Sequence, residues 1–322
     1  MVQLSVVITF GDWKVYKVTS ISIEKSWKFL ASTAKITLPR RAFPDGDIKN
    51  WQNADGTPIL KVGTPVKIEL GYDFEMQTEF VGFVSKINTE TPVVIECEDA
   101  MWQLKQTSVK KSYPKVSLSQ LLQEIIPSGI SYKTSGEVQL GRFYIDSASV
   151  FQVLDRLSDY GLFSYFRGSQ LYVGFAYENT EFRRVKLNLR QQIASIQSLT
   201  YRNKDDIKVQ VRAISMQPNG TKIEKTIGDE GGELHTLHLP IGLNESDLEK
   251  QANEKMKLFR FDGYEGEIVT FGKPFIEHGD ITELTDDQYP EREGAYRIDT
   301  EKVDFGMAGY RRTLSIGKTT NS

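Results

Sequence analysis

The stretch "FVGFVSKINTETPVVIECEDAMWQLK", residues 80–105, decides how the chain is read. Phe80, Gly82 and Val84 alternate with Val81 and Phe83 at the period of a strand, with apolar residues on both phases. The polar run Asn88-Thr89-Glu90-Thr91-Pro92 turns the chain, Val93, Ile95 and Cys97 alternate on the return, and a helix begins. A hairpin whose first strand is apolar on both faces fits a closed or nearly closed small barrel with something packed outside it.

Working outward, "TAKITLPR" (33–40) and "GTPVKIELGY" (63–72) alternate in the same way, joined by a loop with Pro44-Asp45-Gly46 and Asn53-Ala54-Asp55-Gly56. Residues 1–104 thus read as a first β-barrel. From 105 to 178 the pattern changes to a small α/β domain. Ser117 with Gln120 forms a capping box for "LSQLLQEII", and a second helix begins near Ser147 or Ser149, carries Val150, Leu154 and Leu157, and ends at Gly161. "GLFSYF" and "QLYVG" pair through Arg167-Gly168-Ser169. Strands return in 179–214 and 262–322, predicting a second barrel. Residues 215–261 are a hairpin and helix excursion from it, with Asn244 as N-cap of a helix over 245–259. The fold class expected is mainly β with α+β parts: two similar barrels with an α/β domain between them.

The two β regions echo each other. "KVGTPVKIEL" (61–70) and "EHGDITEL" (277–284) each put a glycine at the mouth of a strand, and a hairpin follows in both. Chance overlay of two hairpins and duplication of one barrel both account for this. Duplication would supply two like blocks, which suit a ring.

Bulk properties narrow the function. A chain of 322 residues exceeds the size at which one core stops growing, so several packed units are expected. Lys and Arg number 40 against 43 Asp and Glu, a net charge of −3, and this excludes a general grip on polyanions. The apolar run from Leu4 to Phe10 reads as a strand rather than a signal peptide. No stretch reaches the ~20 apolar residues needed to cross a bilayer. Synthesis in the cytoplasm is expected, and the lone Cys97 excludes an internal disulfide.

Candidate chemistry is sparse. His235 and His238 lie three apart on a strand, so they face opposite ways and share no metal; His278 reads as a solvated turn residue. Cys97 is on an inward phase and reads as a small buried hydrophobe. Asp205-Asp206, Asp286-Asp287 and the run Glu96 to Asp99 read as solvated carboxylates, and Asn219 and Asn244 match the glycosylation pattern by chance. Phosphate-loop, dinucleotide, C-x-x-C and H-E-x-x-H motifs do not occur. No catalysis, no cofactor and no metal are expected.

"SVFQVLDRLSDYGLFSYFRGSQLYVG" (149–174) resembles the helix, glycine and hairpin of the α/β domain in baseplate hub proteins of contractile phage tails and in the hub portion of type VI secretion spikes. Asp155, Arg156, Leu157, Gly161, Leu162, Phe163, Tyr165 and Phe166 carry that likeness. "TAKITLPR", the opening hairpin, and "TFGKPFIEHGDITEL" with "GAYRIDTEKVDFGMAGYRRTLSIGK" resemble further hub segments in the same order. The resemblance implies a homotrimer whose six barrels form a torus, adapting a sixfold tail tube to a threefold spike. It implies tube, spike and baseplate wedge proteins as partners, DNA passing through, and residence in a virion tail or injection particle. The spike is expected as a separate chain. A rival reading is a single-strand or sugar-binding module using Trp27, Trp51 and Tyr72, with core or loop packing as the plain alternative for each; a cell-wall hydrolase ranks below both.

Overall fold

The computed structural model describes residues 3–39, 60–88, 92–134, 138–175, 182–196, 198–217, 220–239, 242–260 and 262–319. The 44–56 turns, the tip of the opening hairpin, Asn219 and Trp51 lie outside them.

The first region forms β1 (Leu4–Phe10), β2 (Trp13–Val15), β3 (Ser20–Ser26), β4 (Thr33–Leu38), β5 (Pro65–Tyr72), β6 (Glu75–Asn88) and β7 (Val93–Glu98). Next come α1 (Met101–Gln106), β8 (Ser108–Ser117), α2 (Leu118–Ile125), β9 (Ser131–Thr134), β10 (Gln139–Ser149), α3 (Val150–Leu157), β11 (Leu162–Arg167) and β12 (Gln170–Phe175). The remainder is β13 (Arg184–Asn188), β14 (Ile193–Ile196), β15 (Thr200–Arg202), β16 (Val209–Met216), β17 (Lys222–Gly228), β18 (Glu233–Leu239), α4 (Glu245–Phe259), β19 (Gly263–Phe271), β20 (Ile281–Thr285), β21 (Gly294–Gly306) and β22 (Gly309–Thr319).

Local signals set the helices. Ser117 and Ser149 each accept from the amide three residues on, and Gln120 and Gln152 return the bond, so α2 and α3 start on complete capping boxes. Gly161 closes the turn after α3 at φ 73°, a left-handed conformation cheap only for glycine. Asn244 caps α4 by accepting from Asp247. Leu118, Leu122, Val150, Leu154 and Leu157 pack with Leu162 and Leu171 into the core of the α/β module.

Among the described residues one 14-stranded sheet runs β2-β1-β5-β6-β7-β4-β3-β21-β22-β19-β14, with β20 beside β21, β13 beside β20 and β15 beside β19. Among the described strands the ladder does not close on itself, so the two barrels, expected from sequence to be closed or nearly closed, are open sheets over two cores, continuous through the β3–β21 pairing. The physical reason is that β3 spends its outer edge on the other half of the chain instead of on its own ladder. The both-faces-apolar β6 is covered outside by α1, whose Trp102 stacks on Phe83 at 5.4 Å, while Val81 is exposed.

The two halves are repeats of one ladder. The path β5-β6-β7-β4-β3 recurs, strand for strand and all antiparallel, as β20-β21-β22-β19-β14. The turn before each first strand is the same. Gly63 (φ 86°) donates to Val84 and Val84 donates to Thr64; Gly279 (φ 85°) donates to Ile298 and Ile298 donates to Asp280. In each turn the side chain of the next residue accepts from the amide two residues before the glycine, Lys61 to Thr64 Oγ1 at 3.2 Å and Glu277 to Asp280 Oδ2 at 2.9 Å. Ladder irregularities follow at matching places, between Val84 and Lys86 and between Ile298 and Thr300. Ile36, Val84 and Ile95 of the first core correspond to Ile268, Ile298 and Leu314 of the second, all without solvent exposure. The strand leading into each repeat differs: β1 joins β5 antiparallel, whereas β13, arriving from the α/β module, joins β20 in parallel.

One strand departs from its predicted place. Residues 209–214, expected in the second barrel, belong to β16, the centre of a separate sheet ordered β17-β16-β18. Val209, Val211 and Ala213 face Leu248 and Ala252 of α4, so the apolar phase of β16 is satisfied by the excursion's own helix.

Candidate functional site: a buried charge junction

The first repeat, the second repeat and the α/β module meet at a buried cluster of charges. Arg312, fully buried in β22, donates to Glu79 of β6 at 2.7 Å, to the Ile276 carbonyl at 2.9 Å and to the Gly272 carbonyl at 3.3 Å, and pairs with Glu301 of β21. Tyr310 donates its hydroxyl to the same Glu79 oxygen. Lys25 of β3 lies 3.4 Å from Glu301 and 3.8 Å from Glu277. At the end of β11, Arg167 pairs with Glu277 at 3.2 Å and with Asp280; Arg183 reaches Asp280 at 3.1 Å. The Phe275 ring lies under Arg183 at 4.4 Å and Arg312 at 4.9 Å.

Burial alone would neutralise these groups, and pairing opposes it. Burial resists ionisation of Glu277, yet Lys25, His278 and Arg167 outweigh it and bring its pKa to about 2. Burial likewise works against the charge of Arg167, but Asp280 and Glu277 raise its pKa. Lys25 is different: desolvation prevails and its pKa falls. Burial pushes the Tyr310 hydroxyl strongly upward, and the neighbouring Glu79 adds to that, so it remains a donor. The Glu79 Oε2 atom has no hydrogen-bond partner among the described residues, and Glu79 lines a cavity of about 80 Å³ together with Lys25, Ser32, Phe166 and Glu277. These pairs join the two repeats and the α/β module.

Several sequence expectations change here. His278, read as a solvated turn residue, is fully buried because its turn is roofed by the α/β module; its ring meets Tyr165 edge-on at 5.5 Å, and burial lowers its pKa to about 3. Asp99, read as solvated, is buried and accepts from the amides of Ser32 at 2.8 Å and Met101 at 2.9 Å; burial nonetheless raises its pKa to about 6. Asp286 is also buried, held by Arg190 at 3.2 Å and by the Gln288 amide at 3.0 Å, whereas Asp205, Asp206 and Asp287 are exposed. Cys97 is buried, and its thiol is pushed up to about 12, as a packed hydrophobe would be. His235 stacks on Phe259 at 3.9 Å, while His238 is exposed on the other face of β18. Trp27 donates to Asp299 at 2.9 Å and meets Phe163 edge-on, and the Tyr72 hydroxyl donates to the Tyr310 carbonyl at 3.1 Å; both are packing residues of the junction rather than stacking platforms.

The junction residues were missed although β22 and β21 carry the signal. Arg312 falls on the apolar phase Tyr310, Leu314, Ile316, and Glu301 on the phase Val303, Phe305. A charge on the buried phase of an alternating strand demands a buried partner. Among the described residues no group of His, Cys, Asp and Glu is placed to hold a metal, and no helix is long and apolar enough to cross a membrane.

The arrangement of repeats has counterparts among solved structures. The 43 kDa tail protein of prophage MuSo2 from Shewanella oneidensis superposes with a TM-score of 0.68 at 15% identity, covering 98% of both chains. The tail protein from Neisseria meningitidis MC58 gives 0.67 at 14% identity, over 98% of this chain and 96% of that one. The fold is that of phage tail proteins. The same tail fold extends to the E. coli c3393 protein, a component of the type VI secretion system similar in structure to the T4 tail proteins gp27 and gp5, with a TM-score of 0.58 at 9% identity, over 100% of this chain and 77% of that one. No family model and no curated protein sequence matches the chain.

Proposed function

We propose that the chain is a structural hub subunit of a contractile tail or related injection particle, three copies closing into a ring that adapts a sixfold tube to a threefold spike. The observation that carries this reading is the repeat: two ladders with the same strand path and the same glycine turn, in a fold shared end to end with tail proteins. Two like blocks per chain give six around a threefold axis, which is what a sixfold tube requires of a trimer. The charge junction supports a mechanical role, since its ion pairs tie both repeats and the α/β module together. Tube, spike and wedge proteins are the partners of such a part, and DNA would pass through its hole; a near-neutral chain offers it little grip. The division into 1–104, 105–178, 179–214 with 262–322, and 215–261 is proposed in amended form, the last unit taking in β16. No catalytic role is proposed. Light scattering of the purified protein tests the trimer: a mass three times that of the 36.6 kDa chain is expected, and monomer at every concentration, with or without spike protein, contradicts it.

A further inference from the structure

The α/β module is held against the repeats without being fused to them. Leu118, Leu122, Val150, Leu154, Leu162 and Leu171 give it a core distinct from those of the two repeats. At its margin, β11 faces two ways. Leu162 and Phe166 join the module's core, while Phe163, Tyr165 and Arg167 on the opposite phase meet the repeats. Phe163 meets Trp27 edge-on at 4.7 Å, Tyr165 meets His278 edge-on at 5.5 Å, and Arg167 pairs with Glu277 and Asp280. Cavities of about 360 Å³ and about 80 Å³ border this contact, both lined by Phe166 and Gly168, so the joint lacks the close packing of a core. The chain enters the module through Asp99, which accepts from the Ser32 amide on the repeat side and from the Met101 amide on the module side. That pivot uses none of the β11 contacts.

We propose that β11 is a latch opened by acid: protonation of His278 releases the α/β module from the two repeats as a folded body turning about Asp99.

His278 is fully buried at the centre of the latch. Facing it are Glu277 of its own turn, Lys25 of β3, and Tyr165 and Arg167 of β11; behind these stand Asp280 with Arg183, and Glu301 with Arg312. Neither ring nitrogen meets hydrogen-bond geometry with a described residue, the neighbouring Phe166 backbone included. A proton on the closed ring would sit out of water beside two cations. Burial, Lys25 and Arg167 outweigh the attraction of Glu277, and the ring stays neutral to about pH 3. Once the module lifts, the ring reaches water and takes a proton near its ordinary 6.5. The open form therefore binds more protons between those values, and the ratio of open to closed rises roughly 30-fold from pH 7.5 to pH 5. Glu277 pulls the same way below its ordinary 4.5. Asp99, whose burial acid favours, keeps both amide partners at the pivot and does not oppose the opening.

Spin labels at Tyr144→Cys on the module and Met307→Cys on the second repeat read the opening, since both positions are exposed and Cys97 is buried. The labelled chain is diluted with unlabelled chain, so that distances within one molecule are measured by double electron–electron resonance. One distance is expected at pH 7.5, and a second is expected to grow as pH falls to 5, with the far-UV circular dichroism unchanged. In His278→Phe, and in His278→Gln as a second neutral replacement, the second distance should not grow. A single unchanged distance at pH 5, or equal growth in both variants, overturns the latch. Loss of the first distance together with the circular dichroism means that the whole chain unfolds, and overturns release as a folded body.

Discussion

Arg312 holds Glu79 and Glu301 together with no solvent reaching any of the three. Arg312→Ala leaves two carboxylates buried without their cation and is expected to cost about 3–5 kcal/mol, read from the urea midpoint. Replacing Arg312 by Met together with Glu79→Gln and Glu301→Gln should cost less than the single alanine change; an equal or greater loss would mean the pairs are not the source of the penalty. Acid sensitivity also begins here. His278 stays neutral in the fold to about pH 3 but takes a proton near 6.5 when unfolded, so the unfolded state binds more protons between those values and stability falls as pH drops through them. Glu277 adds a further loss between its ordinary 4.5 and about 2. Asp99 acts in the opposite sense, favouring the fold as pH falls from about 6 toward 3.8. The difference between wild type and His278→Phe isolates the histidine: the variant should lose less stability from pH 7.5 to pH 5, and parallel losses would contradict the assignment.

At the scale of elements, the two glycine turns are the clearest mark of the repeat. A Cβ on Gly63 would sit 2.8 Å from the Trp102 ring and one on Gly279 2.8 Å from the Phe182 ring, each at positive φ. Gly63→Ala and Gly279→Ala are therefore expected to destabilise by similar amounts, more than ~1 kcal/mol each by thermal or chemical unfolding. Gly129→Ala, also at positive φ but with nothing within 4 Å, should cost less. The capping box at Ser117 and the α4 cap at Asn244 were legible in the sequence because each rests on residues within four positions of one another, whereas the turns, bonded to Val84 and Ile298, showed only as a glycine at the mouth of a strand. Strand membership was legible only where alternation had one available core. β16 shows the limit: its apolar phase fits a barrel wall and the α4 helix equally well, and only the tertiary arrangement decides. The junction lay further out of reach, since Lys25 and Glu301 are brought together by a pairing that spans nearly the whole chain.

For the whole molecule, local periodicity gave the succession of β and α/β segments, while the doubling of the β part stood as one of two readings of the echo between 61–70 and 277–284. It did not convey that the halves share one continuous sheet, because that depends on which strand edge β3 chooses. In the proposed ring, closure rests on how the two repeats are joined, and Arg312 of the second ties to Glu79 of the first. Direct imaging of the purified protein by negative-stain or cryo-electron microscopy measures that closure. Rings of three chains with six like lobes around an open centre are predicted; single particles without a hole, or filaments that never close, would contradict the account.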